Sequence, residues 1–371
     1  MSRSQKIDRV FLITTLFLLF FGFTVFVSAS MGILAKDSAQ FASVTFRQAF
    51  FGLILGLISC FVFSKINYTY FKKFSFGIFC ASIALMLAVF IPGVGLTLNG
   101  STRWINFFGL TTIQPIEILN IGFIIYWASW LSFSKEKIKT VKYGILPFIV
   151  ILGITSIPLL LQPDVDSVFF LALIGIAMFV SAGGKIKHAV AITLIGIICV
   201  VGIAFFKPYV KDRILSFMHP ENNPLTSGYQ IQQSLIAVGS GQIFGRGLGQ
   251  GIQKFKFLPE SISDSIFAVV GEELGFIGCV FIILIFLFFT FRAFRIAIRS
   301  PDPFGGLLVI GIVILIISRS FMNIGSMLGI VPISGVPLAF FSQGGTAMLI
   351  TLAEIGVILN VSKFNKIKKN N

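Results

Sequence analysis

Four stretches of the sequence gather side chains that can do chemistry. The first reads Arg103, Trp104 and runs on through Gln114, Pro115 and Ile116 to Glu117. Arg103 beside Trp104 fits an interfacial anchor with a snorkelling cation, or a cation for an anionic substrate. Glu117 lies just inside a long apolar run, where an unpaired carboxylate costs roughly 2 to 3 kcal/mol, so it should face the protein interior or a wet cavity. The second stretch holds Gly228, Tyr229 and Gln230, then Gly239, Gly241, Gly245, Gly247, Gly249 and Gly251 around Arg246, with Gln253, Lys254 and Lys256 behind them. Glycines let successive backbone N–H groups converge on an anion, and the cations would add charge for a phosphate; a flexible connector is the structural alternative. There is no Walker lysine followed by Ser or Thr, so a nucleotide loop is not expected.

The third stretch is Leu258, Pro259, Glu260, Ser261, Ile262, Ser263 and Asp264. Ser261 and Asp264 have the spacing of a capping box, which would give the aspartate a structural role. The functional alternative is a general base at a membrane surface. A helix N-terminus would lower its pKa, while desolvation and a nearby phosphate would raise it. The fourth comprises Glu272 and Glu273, about 12 to 13 Å further along a helix than Asp264 and unable to share one narrow face with it. Arg319 sits inside another apolar run at comparable depth. A buried pair between Arg319 and one of these glutamates is the economical expectation, with a structural role.

The elements that carry these residues follow from composition. Of 371 residues, 56% are hydrophobic and 12% charged, with a mean hydropathy of +0.96. Ten apolar runs are long enough to span a bilayer, over about 10–34, 43–64, 74–92, 113–133, 143–161, 164–182, 188–206, 264–291, 304–326 and 338–361. The expectation is an all-α polytopic membrane protein, residues 1–371 forming one integral membrane unit, with a large outer loop over 207–263 between the seventh and eighth spans. With the N-terminus placed inside, 19 of 29 basic residues fall in inner segments, among them Lys65, Lys72, Lys73, Lys135, Lys142, Arg292 and Arg299. Both termini are therefore expected to be cytoplasmic. The net charge of +15 belongs to this asymmetry and removes nucleic acid as a partner. Acidic residues run the other way, Asp37, Asp164, Asp166, Asp212, Glu221, Glu260 and Asp264 lying at or beyond the outer surface. Cys60, Cys80, Cys199 and Cys279 all sit in apolar runs without CxxC spacing, which sets aside disulfides and zinc.

Taken in order, these motifs resemble the SEDS family (shape, elongation, division and sporulation), the membrane glycosyltransferases that polymerise peptidoglycan. The resemblance rests on Arg103, Trp104 and Gln114 to Glu117; on Gln162, Pro163 and Asp164; on Gly228 to Gln230; and on the glycine loop with Gln253 and Lys254. It continues through Leu258 to Glu260, Asp264 to Ala268, Gly271 to Gly275 and the element Pro332, Gly335, Pro337, Leu338, Ser342, Gly344, Gly345. The glycine loop and the Gln253–Lys254 pair look closer to the division members than to the elongation members. The sequence departs from the family pattern in four places: Ile116 and Asn120 stand where a serine and a lysine are usual, Asp166 and Ser167 replace a Gly-Thr, and the usual His-Thr-Asp-Phe reads Ile262, Ser263, Asp264, Ser265. Without that lysine Glu117 would be protonated or paired with another cation, Arg103 being the nearest in sequence.

The resemblance implies a lipid II polymerase at the outer face of the bacterial inner membrane, serving the division septum, with Asp264 as catalytic base. It implies Arg103, Glu117, Tyr229, Arg246, Gln253, Lys254 and Ser342 as substrate-binding residues. It also implies a class B penicillin-binding protein transpeptidase and other division proteins as partners, alongside membrane lipids. A divalent cation, Mg or Mn, could assist, although no His or Cys cluster marks a metal site. The competing classes are a lipid II carrier and a non-catalytic scaffold that activates a transpeptidase.

Overall fold

The computed structural model describes residues 6–98, 101–107, 111–206, 208–218 and 227–364. Lys207, Glu221 and the side chains of Cys199 and Asp212 lie outside the described residues. Asp8 opens the first helix, its carboxylate accepting the Phe11 N–H at 2.9 Å and so capping α1 (Arg9–Leu34). Asp37 caps α2 (Ser38–Arg47) through Ala39, and a π-helical stretch joins α2 to α3 (Leu55–Lys65). After the short α4 (Thr69–Lys73) and α5 (Ser75–Ala88), the chain forms an antiparallel sheet of β1 (Gly95–Leu98), β2 (Ser101–Phe107) and β3 (Thr111–Ile113). Leu96 pairs with Trp104 and Ile105 with Ile113.

Pro115 begins α6 (Pro115–Ser134), where its missing N–H would have no helical partner in any case. Next come α7 (Leu146–Leu161), α8 (Val165–Ser181) and α9 (Ile186–Phe206). Asp164 caps α8 by accepting from the Ser167 N–H at 3.2 Å and Oγ at 2.7 Å. The segment expected as a long outer loop is largely helical, holding α10 (Pro208–Met218), α11 (Ser227–Ser240) and the short α12 (Gln253–Lys256). The chain then forms α13 (Ile266–Ile298), α14 (Pro303–Met327) and α15 (Gly345–Lys363).

Among the described residues, seven helices are long and apolar enough to cross a membrane: α1, the continuous α2–α3 unit, α6, α7, α13, α14 and α15. Shorter apolar helices stand at α5, α8 and the first half of α9, so every expected span contains one helix. Several boundaries move, the eighth span running on to Ile298 within α13. The fourth span starts at Pro115 because residues 111–113 form β3, and the last starts at Gly345 because the proline- and glycine-bearing segment before it is not helical. The protein is a polytopic, mostly helical membrane protein. Ile13, Phe61, Ile157, Leu284 and Ile298 are each more than half exposed, a surface that hydrocarbon solvates and water does not.

Inside, α1 packs on α13 through the rings of Phe11 and Phe289, 4.9 Å apart. Trp127 is fully buried and donates its one N–H to the Gly175 carbonyl at 3.0 Å, tying α6 to α8. One end of the bundle is held by Asp8 with Arg292 at 2.8 Å and by the Tyr68 hydroxyl donating to Asp302 at 2.6 Å. At the other end Thr346 Oγ1 donates to the Thr112 carbonyl at 3.1 Å, fastening the sheet to the start of α15. Asp264 lies at this sheet end.

Candidate functional site

Asp264 stands at the mouth of α13. The helix begins four residues later than a Ser261–Asp264 capping box would require: its N-cap residue is Ser265, which makes no side-chain cap. The Ser261–Asp264 box therefore does not form, and the carboxylate is left for other work. Three consecutive residues are pinned here from three different elements. Ser342 Oγ donates to the Ser263 carbonyl, Asn323 Nδ2 on α14 to the Asp264 carbonyl at 2.7 Å, and Gln230 Nε2 on α11 to Ser265 Oγ at 2.9 Å. The Glu260 carbonyl accepts the N–H groups of Ser263 at 3.1 Å and Ser265 at 3.0 Å, closing the turn.

The Asp264 side chain is thus aimed by its backbone, and among the described residues no hydrogen bond occupies it. Its carboxyl is pushed up to about 6, chiefly by burial and then by the negative charge of Glu260, with Arg213 pulling the other way. Glu260 is exposed, and its carboxylate accepts the Ser263 hydroxyl at 2.7 Å. Ser342, expected to bind substrate, is buried and engaged at both ends: it accepts the Leu338 N–H at 2.8 Å while donating to Ser263. Tyr229 is half-buried, and its neighbour Gln230 makes the contact with the Asp264 turn.

The glycine run turns out to serve α13. That helix breaks at Gly275, where φ is 66° and ψ −165°, and a break inside a spanning helix frees backbone groups that must find partners. The glycine loop supplies them. The N–H groups of Arg246 and Gly247 donate to the Glu272 and Glu273 carbonyls at 3.0 and 2.9 Å, and the Phe276 N–H donates to the Gln242 carbonyl at 2.8 Å. A Cβ at Gly245 would lie 2.2 Å from the Glu273 carbonyl oxygen, so the approach needs glycine there. Glu272 then holds the Ile252 and Gln253 N–H groups at 2.8 and 3.1 Å. Glu273 pairs with Lys254, and also accepts Ser28 Oγ at 2.6 Å and the Gly249 N–H at 3.0 Å.

Two expectations change as a result. The loop is not free to cradle a substrate anion, because the N–H groups of Arg246, Gly247 and Gly249 are directed at α13 and those of Gly245 and Gln250 at the loop itself. Lys254 is not a substrate cation: its side chain has no exposed surface and its ammonium is shared among Glu273, Ser28 Oγ and the Gly249 carbonyl. Gln253 donates its N–H to Glu272, while its Oε1 is buried without a hydrogen-bond partner. Arg246 is exposed, with 38% of its side chain accessible, and lies 3.9 Å from Glu272.

Arg319 is paired neither with Glu272 nor with Glu273. Its Nη1 meets Glu117 Oε2 at 2.7 Å, joining α14 to α6, while the α13 glutamates are engaged by the glycine loop. Arg103 in turn is not the partner of Glu117. Its guanidinium donates to the carbonyls of Gln162 at 3.1 Å and Pro163 at 2.6 Å, anchoring β2 on the α7–α8 turn. Glu117, Arg319 and Glu354 of α15 line a cavity of about 40 Å³. One further wall is the segment from Pro337 to Gly344, which also carries Ser342 and so connects the buried pair to the Asp264 turn.

Sequence reasoning missed Asn323, Gln230 and Arg213 as parts of this site. Gln230 closes the Gly228–Gln230 motif, where sequence reasoning takes Tyr229 in its place. Asn323, a lone buried amide in a spanning helix, was a signal of a polar contact. Arg213 carries no motif; α10 brings it to Asp166, with which it forms an ion pair.

The geometry now has relatives to be set beside. The family model for FtsW, RodA and SpoVE, described as cell cycle protein, matches residues 8–367. The chain is 36% identical over 362 residues to the probable peptidoglycan glycosyltransferase FtsW of Geobacter sp. (strain M18), covering 98% of each. It is 38% identical over 362 residues to stage V sporulation protein E of Bacillus subtilis (strain 168), covering 97% of this chain and 98% of that protein. In fold it matches a chain of a peptidoglycan synthase complex with a TM-score of 0.78 at 24% identity, over 96% of this chain and 97% of that one. It also matches the rod shape determining protein RodA of Thermus thermophilus with a TM-score of 0.71 at 22% identity, over 98% of each. This chain belongs to the FtsW/RodA/SpoVE family of cell cycle proteins, the SEDS family.

Proposed function

We propose that the protein is a peptidoglycan glycosyltransferase that polymerises lipid II, a disaccharide-peptide carried on undecaprenyl diphosphate. One observation carries this reading: the Asp264 carboxylate is fixed through its backbone from three elements, caps nothing, and has an elevated pKa of about 6. Such a carboxylate is ionised near neutrality yet basic enough to accept a proton in the transition state. Asp264 takes the proton from the acceptor GlcNAc 4-hydroxyl as that oxygen attacks the donor MurNAc anomeric carbon. The bond to the diphosphate breaks, the undecaprenyl diphosphate leaves with the electron pair, and an α-linked donor becomes a β-1,4 glycoside by inversion. Naming of the Geobacter relative as a probable peptidoglycan glycosyltransferase supports the same reaction class.

In this reading the sheet end faces outward and both termini are cytoplasmic, supported by the Lys and Arg residues gathered at the other end. A transpeptidase partner of the class B penicillin-binding type, and a place at the division septum, are supported by the likeness to a synthase complex that coordinates polymerization and crosslinking and by the FtsW relatives. Among the described residues no group of three or more His, Cys, Asp or Glu is gathered as a metal-ligand set, and no step here runs through a divalent ion.

Purified protein in lipid vesicles, given labelled lipid II, tests the reading. Glycan polymer is the expected product. Transfer of lipid II across the bilayer without polymer would make the protein a carrier, and neither activity, with stimulation of a transpeptidase, would make it a scaffold.

A further inference from the structure

Resting on the lipid II reading, we infer that Arg213 is the cation that receives the donor's diphosphate, with Asp166 as the counter-ion that holds it between turnovers. The sequence offered Arg103, Arg246 and Lys254 for this task, and none of them is placed for it. Arg103 is anchored on two backbone carbonyls, Lys254 is enclosed against Glu273, and Arg246 lies against Glu272 at the break in α13.

Arg213 is the guanidinium that reaches the base. The position that a side chain at Gly335 would occupy lies 3.5 Å from Asp264 Oδ2 and 3.9 Å from Arg213 Nη2. The two groups therefore flank one small space, kept open by a glycine whose φ of +63° disfavours any side chain. That geometry suits the substrate: the base must stand at the acceptor hydroxyl while a cation stands at the leaving diphosphate, on opposite sides of the anomeric carbon. The Gly335 wall is itself held in place, since Asn323 donates to the carbonyl of the adjacent Val336 as well as to that of Asp264.

The ion pair with Asp166 is of a kind that a substrate can displace. About a third of the Arg213 side chain and over a quarter of that of Asp166 are accessible, so a ligand can reach the pair, and burial already works against the charge of Asp166. A diphosphate offers more charge and several acceptor oxygens, which a guanidinium fork engages in pairs. Asp166 lies in the first turn of α8, within electrostatic reach of Asp164 and Arg103 as well. Among the described residues the charged groups acting on Asp264 are Glu260 and Arg213. Engagement of Arg213 by the diphosphate would thus weaken its pull on Asp264 and leave the carboxylate a stronger base as the donor seats.

The test is binding of undecaprenyl diphosphate to the purified full-length protein, with uncharged undecaprenol as control, for wild type, Arg213→Gln, Arg213→Lys and Asp166→Asn. Arg213→Gln should weaken diphosphate binding about tenfold or more and leave undecaprenol unchanged. Arg213→Lys should recover part of the loss, and Asp166→Asn should bind the diphosphate more tightly than wild type. The acid limb of activity in Arg213→Gln should also move to higher pH. Unaltered diphosphate binding in Arg213→Gln, or equal loss of both ligands, would overturn the inference. No step of the binding test depends on turnover, so an absence of polymerase activity in wild type would overturn the enzyme reading separately.

Discussion

Asn323 on α14 donates through a single amide nitrogen to the carbonyl oxygens of Asp264 and Val336, each at 2.7 Å. Both partners only accept, so the amide nitrogen and not its oxygen must face them. One side chain thereby sets the separation of the two backbone segments that bound the site. Asn323→Asp would present a carboxylate to two carbonyl oxygens. It should lower lipid II polymerisation at least tenfold and lower the thermal stability measured in the same detergent, leaving two buried carbonyls unsatisfied at about 1 to 3 kcal/mol each. Full activity in this variant would remove Asn323 from the framework of the site.

Arg319 gives Glu117 the partner that the lysine pattern of the family would have placed at Asn120. Removing one member of a buried pair costs about 3 to 5 kcal/mol because the other charge is left uncompensated. Arg319→Met should therefore unfold at a markedly lower temperature than wild type. Asn120→Lys in that background puts an ammonium one turn from Glu117 and should restore much of the loss. The same Asn120→Lys change in wild type should be destabilising, since Asn120 is fully buried and Glu117 is already paired. Equal melting temperatures for all three variants would contradict this account.

Lys254 acts through the fold. Lys254→Met leaves Glu273 buried and uncompensated and releases the loop that completes the break in α13. Limited proteolysis should open the chain near residues 241–252 in this variant and not in wild type. A change confined to the KM for lipid II, with the loop still protected, would return Lys254 to substrate binding.

What could be read from the sequence divides along a physical line. The spans were legible because hydrocarbon imposes length and apolarity on each segment independently, without reference to its neighbours. The candidate base was legible because Asp264 closes a polar segment at the start of a span, and family resemblance singled it out. Pairing was not legible. Glu272, Glu273, Lys254 and Arg319 could be ranked by depth, but depth says nothing about which side chains meet: Arg319 pairs with Glu117 of α6, and the glycine loop and Lys254 take the α13 glutamates. That role of the glycines depended on a helix break at Gly275, which hydropathy does not register. Ser261 and Asp264 matched a capping pattern, but the turn at Glu260 defers the helix start to Ile266.

The raised pKa of Asp264 also has a consequence for stability. The folded carboxyl titrates near 6 and an unfolded one near about 3.9, so the folded state binds more protons in between and loses stability as pH rises through that window. Above it the cost is complete. Asp264→Asn is free of that cost and should melt higher than wild type at about pH 7.5, with the difference vanishing at about pH 4. Identical melting curves at both values would mean that burial imposes no penalty on the carboxylate.

The most direct measurement is the initial rate of lipid II polymerisation against pH, from about 5 to 9, for wild type and Asp264→Asn. The wild-type rate should fall with a single protonation as pH drops through about 6. Asp264→Asn, folded and membrane-inserted, should be slower by about 10² or more at neutral pH and should lack that limb. Wild-type turnover in Asp264→Asn, or the same acid limb in both proteins, would show that another group takes the proton.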